Sequence, residues 1–226
     1  MEVLVTGGDT ELGRTIAEGF RDEGHRVVLS GARRDELEVA AKELDVDAVV
    51  CDTSDPASLA EARSSFPQHL DTIVHVPALR WQDGDPRTYS LAQQATAWHN
   101  ALDTTVLSAA LTLQTIGDNL RAGGAVVSVV PESPRDGSAQ AAVKAALAAW
   151  TADQATVYGT RGITINVVAA GRGSQPGYDG LSATSPSTAA EITRLALFLS
   201  TSGARHVTGQ TLHVSAGQLA QFGCPG

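Results

Sequence analysis

The sequence predicts an α/β fold, a doubly wound three-layer sandwich built on a seven-stranded parallel sheet. Three observations carry this expectation. Short apolar runs rich in β-branched residues recur along the chain: VLV near Val3, HRVVLS near Val27, DAVV near Val49, DTIVHV near Ile73, AVVSVV near Val127, ITINVV near Ile165 and TLHV near Leu212. Longer stretches of helical period separate them. The first run also passes through a glycine-rich turn straight into a helix. Strands that are apolar nearly throughout are those buried on both faces of a parallel sheet. Their alternation with helices makes right-handed βαβ crossovers.

The helices follow from their own signals. Leu12 to Glu23 opens after the glycine turn and closes at Gly24, a suitable C-terminal cap. Asp35 to Leu44 repeats apolar residues at helical spacing. The segment DPASLAEARSSF begins with Asp55 as cap and Pro56 in the first turn. Two long helices are expected from about Leu91 to Leu120 and from Ser138 to Gly159. A last one runs from about Thr188 to Leu199, with Glu191 completing a capping box. The irregular stretches Trp81 to Arg87, Glu132 to Gly137 and Gly171 to Ser187 follow the fourth, fifth and sixth strands. Ligands bind beyond the carboxyl ends of such strands, so these loops are expected to line the site.

At 226 residues with no linker, repeat or low-complexity tract, residues 1–226 read as a single domain. Apolar residues make up 42% and aromatic ones only 4%, so the core must be Ala, Val, Leu and Ile. The formal charge of −9, without a basic cluster, gives no footprint for nucleic acid or an anionic membrane. A small-molecule substrate fits this balance. No apolar stretch approaches a membrane span. The first residues enter a strand pattern at once, so no signal peptide is expected. Cys51 and Cys224 form no disulfide framework and no metal-ligand spacing, which suits the reducing cytoplasm. Lysine occurs only as Lys42 and Lys144, so a lysine in a motif position is informative here.

The turn Thr6-Gly7-Gly8-Asp9-Thr10-Glu11-Leu12-Gly13 sits where free backbone N–H groups and the helix dipole can cradle a pyrophosphate. It resembles the TGxxxGxG turn of the short-chain dehydrogenase/reductase family, with Thr6, Gly7 and Gly13 matching. Glu11 stands where that family has its middle glycine. The resemblance spans roughly Val3 to Gly217. It includes the run Arg161 to Gly171, like the family's sixth strand and turn, and Val207 to Leu212, like the run into its last strand. The subgroup most resembled is the beta-ketoacyl carrier-protein reductases. A Rossmann-type sandwich binding a nicotinamide cofactor is implied.

The cofactor contacts implied are Thr6, Gly7, Leu12, Gly13, Arg33, Asp52 and Lys144. After the second strand stands Ser30-Gly31-Ala32-Arg33-Arg34, without the acid that would hold ribose hydroxyls. An arginine there suits a 2′-phosphate, so NADP is expected over NAD, the bland alternative being a solvated helix start. Asp52 resembles the family position that contacts adenine. His75-Val76-Pro77-Ala78 replaces an NNAG-like turn, and His75 is either a buried structural histidine or a proton donor.

The family's catalytic tyrosine and lysine stand at i and i+4, which projects both from one helix face. Here that motif reads Gln140-Ala141-Ala142-Val143-Lys144. The lysine is present and glutamine replaces the tyrosine. Tyr89, Tyr158 and Tyr178 all lack a lysine four residues on. Pro131 falls where the family has its serine, leaving Ser128 or Ser133 as the candidate, and Thr105 aligns with the relay asparagine. Two functions therefore stay open. One is an NADP-dependent oxidoreductase acting on a keto or hydroxy group of a small or acyl-type substrate, with weak or atypical catalysis. The other is a non-catalytic member that senses a nucleotide or serves as a silent subunit, with or without bound cofactor. The resemblance also implies a homodimer or homotetramer.

Overall fold

In a computed structural model, the described residues are 1–78, 88–131, 138–170 and 188–214. The chain runs β1 (Glu2–Val5), α1 (Glu11–Asp22), β2 (Arg26–Gly31), α2 (Arg34–Leu44), β3 (Asp47–Val50), α3 (Pro56–Ala62) and β4 (Leu70–His75). It continues through α4 (Leu91–Leu102), α5 (Ser108–Ile116), β5 (Leu120–Val130), α6 (Ser138–Gly159), β6 (Thr164–Ala170), α7 (Thr188–Leu199) and β7 (Thr211–Val214). The strands form one sheet in the order β3-β2-β1-β4-β5-β6-β7, and every neighbouring pair is parallel.

Alternate strand residues feed two apolar layers, as the pleat requires. Val3, Val5, Val127 and Val168 pack with Ile16 and Phe20 of α1, Leu37 of α2 and Ile192 of α7. Leu4, Val28, Val126 and Ile165 face the other way, against Leu59 of α3 and Leu113 and Ile116 of α5. Leu147 of α6 joins Val130, Val167 and Ala169 on that second side. The sheet is thus buried on both faces, which explains why its strands carry no polar alternation.

Growth of the sheet reverses between β1 and β4. β1 has β2 on one side and β4 on the other. Where the order reverses, the helices that follow the two strands lie on opposite faces and leave a crevice at the strand ends. This places the Thr6–Gly13 turn and the residues after His75 on its rim.

Asp55 accepts the Ala57 N–H at 3.0 Å and Pro56 opens α3, as the sequence predicts. The expected single helix from Leu91 to Leu120 is instead broken. Its start is held by a capping box between Ser90 and Gln93. A π turn occupies Asp103–Leu107 between α4 and α5. Within it, Thr104 donates to the Asn100 carbonyl at 2.7 Å and Ser108 to the Thr104 carbonyl at 2.6 Å. Hydroxyls bonding back onto carbonyls loosen the regular ladder and widen the turn. A short 3₁₀ turn, Gly117–Asn119, then leads into β5 at Leu120, which pairs with Leu70 before the register shifts to Thr72 opposite Ala125. The three loops expected to line the site lie outside the described residues, as do Ser133, Tyr178, Cys224 and the residue preceding α7.

Candidate functional site

Thr6 closes β1 and ties it to β4. Its hydroxyl accepts the Val76 N–H at 3.0 Å and donates to the Val76 carbonyl at 3.3 Å. Gly7 then turns the chain at φ +62°, where a Cβ would stand 2.4 Å from that same carbonyl oxygen. The Gly8 N–H donates to the Ser30 carbonyl at 2.8 Å. Thr10 caps α1, accepting the Gly13 N–H at 3.1 Å while donating to the Gly7 carbonyl at 2.6 Å. Gly13 lies so close that a Cβ there would be 2.1 Å from the Gly7 oxygen. Only hydrogen fits at both positions, so the turn is a backbone device.

The Glu11 and Leu12 N–H groups have no acceptor among the described residues. They lie at the positive end of α1, beside a groove of about 790 Å³ that runs past Leu12 to Pro77 and Pro131 at the ends of β4 and β5. Glu11 also borders this groove, but it is exposed, and its side chain is free to extend into solvent. Leu12 is half-buried against the core of the α1 side. These features fit a pyrophosphate.

A second hollow, of about 270 Å³, lies at the ends of β1 to β4 and is bordered by Asp9, Ala32, Arg33, Asp52, Ser54 and Ala78. Asp52 is held there by its neighbours. Its Oδ1 accepts from the Ser54 N–H at 3.0 Å and the Ser54 hydroxyl at 2.6 Å, and its own N–H donates to Ser58 at 3.0 Å. Arg33 is engaged by Asp9: its Nε lies 2.9 Å from Asp9 Oδ2, and its backbone N–H donates to the same oxygen at 3.2 Å. Its Nη2 donates to the Asp9 carbonyl. The arginine expected to meet a phosphate is therefore already paired with a carboxylate.

Beyond β4 the chemistry changes. His75 is buried, with Nε2 2.9 Å from Ser108 Oγ. Ser108 spends its one hydrogen on the Thr104 carbonyl, which assigns the donor role to the imidazole Nε2–H. Nδ1 is left without a partner among the described residues. Burial pushes the His75 pKa down to about 4. A neutral ring whose one N–H is already donated is no acid near neutrality, so the structural alternative for His75 stands. Ser128 sits opposite His75 in the β4–β5 register, 1% exposed and inside the sheet. Thr105 is buried in the π turn.

On α6, Lys144 donates from Nζ to the Ala170 carbonyl at 2.8 Å, at the end of β6. Gln140 lies one turn earlier on the same helix face and is half-buried. Leu12, Arg33 and Asp52 border the two hollows, while Thr6, Gly7 and Gly13 build the turn that leads to Leu12 without lining either. Lys144, Gln140 and Ser128 border neither of them.

The profile of the family described as enoyl-(acyl carrier protein) reductase matches residues 9–218. The chain belongs to the short-chain dehydrogenase/reductase family. It is 69% identical over 223 residues to the Mycobacterium tuberculosis (strain ATCC 25618 / H37Rv) protein Rv1856c, provisionally named an oxidoreductase, covering 99% of this chain and 100% of that one. It is 28% identical over 242 residues to the 3-oxoacyl-(acyl-carrier-protein) reductase FabG of Staphylococcus aureus (strain Mu50 / ATCC 700699), covering 95% and 96%. Among solved structures, the short-chain dehydrogenase/reductase from Serratia marcescens BCRC 10948 superposes with a TM-score of 0.75 at 22% identity, covering 96% of each chain. That likeness concerns the fold.

Within this short-chain dehydrogenase/reductase, the residue that sequence reasoning missed is Asp9. An aspartate in a glycine turn ordinarily reads as a turn former. Its one available signal was the absence of an acid at the end of β2, next to an arginine in need of a partner. The π turn left no signal beyond the closely spaced hydroxyls of Thr104, Thr105 and Ser108.

Proposed function

We propose that the protein is an oxidoreductase that holds a nicotinamide dinucleotide along the crevice and acts on a keto or hydroxy group of a small or acyl-type substrate. The observation that carries this reading is the interlocked Thr6–Gly13 turn, with Glu11 and Leu12, whose N–H groups have no acceptor among the described residues, lining the groove shared with Pro77 and Pro131. Asp52 borders the hollow for the adenine end. The bound nicotinamide would supply hydride chemistry. Lys144, anchored on the Ala170 carbonyl, holds an ammonium at the end of β6, where it can orient ribose hydroxyls or an ordered water.

Gln140 sets the rate. Its amide can hydrogen-bond a substrate oxygen but has no proton to give, so water must protonate the developing alkoxide. Losing a positioned acid costs ~10²–10⁴-fold in rate. The same residue favours the second reading, a non-catalytic member that binds the nucleotide as a sensor or silent subunit. A cytoplasmic homodimer or homotetramer is part of this proposal, as the family resemblance implies; among the described residues no helix is long and apolar enough to cross a membrane.

Titration with NADH and NADPH, read by nucleotide fluorescence and thermal shift, tests the binding. Saturable binding of at least one is expected, and binding of neither at millimolar concentration rejects the assignment. Gln140→Tyr then separates the two readings. A gain in carbonyl-reductase turnover marks a weakened enzyme, whereas no gain in a nucleotide-binding variant marks a non-catalytic one.

A further inference from the structure

We propose that Asp9 and Arg33 together form a recognition site for the adenosine ribose of NAD(H), with its free 2′-hydroxyl, and that they exclude the 2′-phosphate of NADP(H). This rests on the dinucleotide reading above and reverses the cofactor preference that Arg33 suggests in the sequence alone.

The first argument is how fully Arg33 is used. Its Nε and backbone N–H both meet Asp9 Oδ2, its Nη2 meets the Asp9 carbonyl, and its Nη1 lies 3.4 Å from Glu36 Oε1. Each nitrogen of the guanidinium fork already has an acceptor in the protein, and two carboxylates share its charge. Two of its five N–H bonds stay uncommitted, but the charge they carry is already balanced by carboxylates.

The second argument is the asymmetry of burial. The Asp9 side chain is 1% exposed, while that of Arg33 is 52% exposed. If Arg33 swung away to meet a phosphate, it would leave a buried carboxylate without its cation, the costly way to break an ion pair. Arg33 is therefore a positioning residue that holds the Asp9 carboxylate in place.

The third argument is where the carboxylate stands. Asp9 packs on Gly31, the last residue of β2, and a Cβ at Gly31 would lie 2.6 Å from Asp9 Oδ1. In open α/β sheets the acid that holds the ribose hydroxyls is found at the end of this strand. Here the strand ends in glycine, and the neighbouring turn delivers an acid into the space that glycine leaves. Asp9 Oδ1 has no hydrogen-bond partner among the described residues. Oδ1 is itself buried, so it acts on the ribose end through its charge, which a neutral hydroxyl tolerates. A phosphate is an acceptor bearing like charge, and Asp52 across the same hollow adds to the repulsion.

The test measures binding of NADH and NADPH to the full chain by fluorescence titration, with AMP and adenosine 2′,5′-bisphosphate as non-redox probes in calorimetry. The wild type is expected to bind NADH at least about ten-fold more tightly than NADPH. Asp9→Ser, which frees Arg33 and removes the acid, is expected to shift the ratio toward NADPH by a similar factor or more. Asp9→Asn, which keeps the shape, tests the same point should the serine variant fold poorly. Tighter NADPH binding by the wild type, or a ratio that neither variant moves, overturns the proposal and leaves the dinucleotide function intact. Binding of neither nucleotide removes both.

Discussion

In the turn after β1, Thr6, Gly7, Thr10 and Gly13 interlock through backbone carbonyls and N–H groups, and two of the four positions have no room for a Cβ. On the α6 side, Gln140 and Lys144 stand one turn apart, and Ser128 of β5 and Thr151 further along α6 bury hydroxyls with no partner among the described residues. The first region is built from conformation and the second from interchangeable side chains. A change in the first must disturb folding and binding together. The second is set by side chains on a helix, and a half-buried helix position such as Gln140 tolerates substitution without loss of the fold.

The sharpest way to break this comparison is Gly13→Ala. Its Cβ would press on the Gly7 carbonyl at 2.1 Å, so a loss of about 3 kcal/mol or more in urea-unfolding stability is expected, along with nucleotide binding. Gln140→Ala should cost less than ~1 kcal/mol in the same measurement. Comparable losses for both variants would erase the distinction between the two regions.

A smaller, pH-dependent effect belongs to His75. Its folded pKa is depressed by burial to about 4, so the unfolded chain takes up the proton first as pH falls. The contribution is fully present above the unfolded value near 6.5 and is lost as pH falls through 4, an effect on the order of 3 kcal/mol. Stability should therefore decline between pH 6.5 and 4, and His75→Asn should flatten that limb relative to the wild type. Parallel pH profiles for the two proteins would place the acid sensitivity elsewhere.

The smallest effect concerns Cys51, which is buried at the exit of β3 with its thiol pKa pushed up by burial. In native protein near neutral pH its peptide should stay unlabelled by maleimide, as judged by mass spectrometry, over a time in which urea-unfolded chain labels fully. Prompt native labelling would show that the β3 edge of the sheet opens readily.

Much of this architecture could be read from the chain before folding was considered. The seven strands, the cap at Asp55 and the bounds of α6 and α7 appear where local signals put them. Periodicity, capping and turn chemistry act over a few neighbouring residues, so a one-dimensional pattern records them. The glycine turn from Thr6 to Gly13 was legible for the same reason, whereas Asp52 was indicated only by the family resemblance.

Other features arise only when distant residues meet. β5 begins earlier than its apolar run because Leu120 finds Leu70 across the sheet. Asp9 and Arg33 are 24 residues apart, and nothing local marks them as partners. Sequence alone determined which elements exist and that the opening turn suits a phosphate. The tertiary structure decided which charges meet at the end of β2, because an ion pair, unlike a helix, is set by which strand ends the sheet brings together.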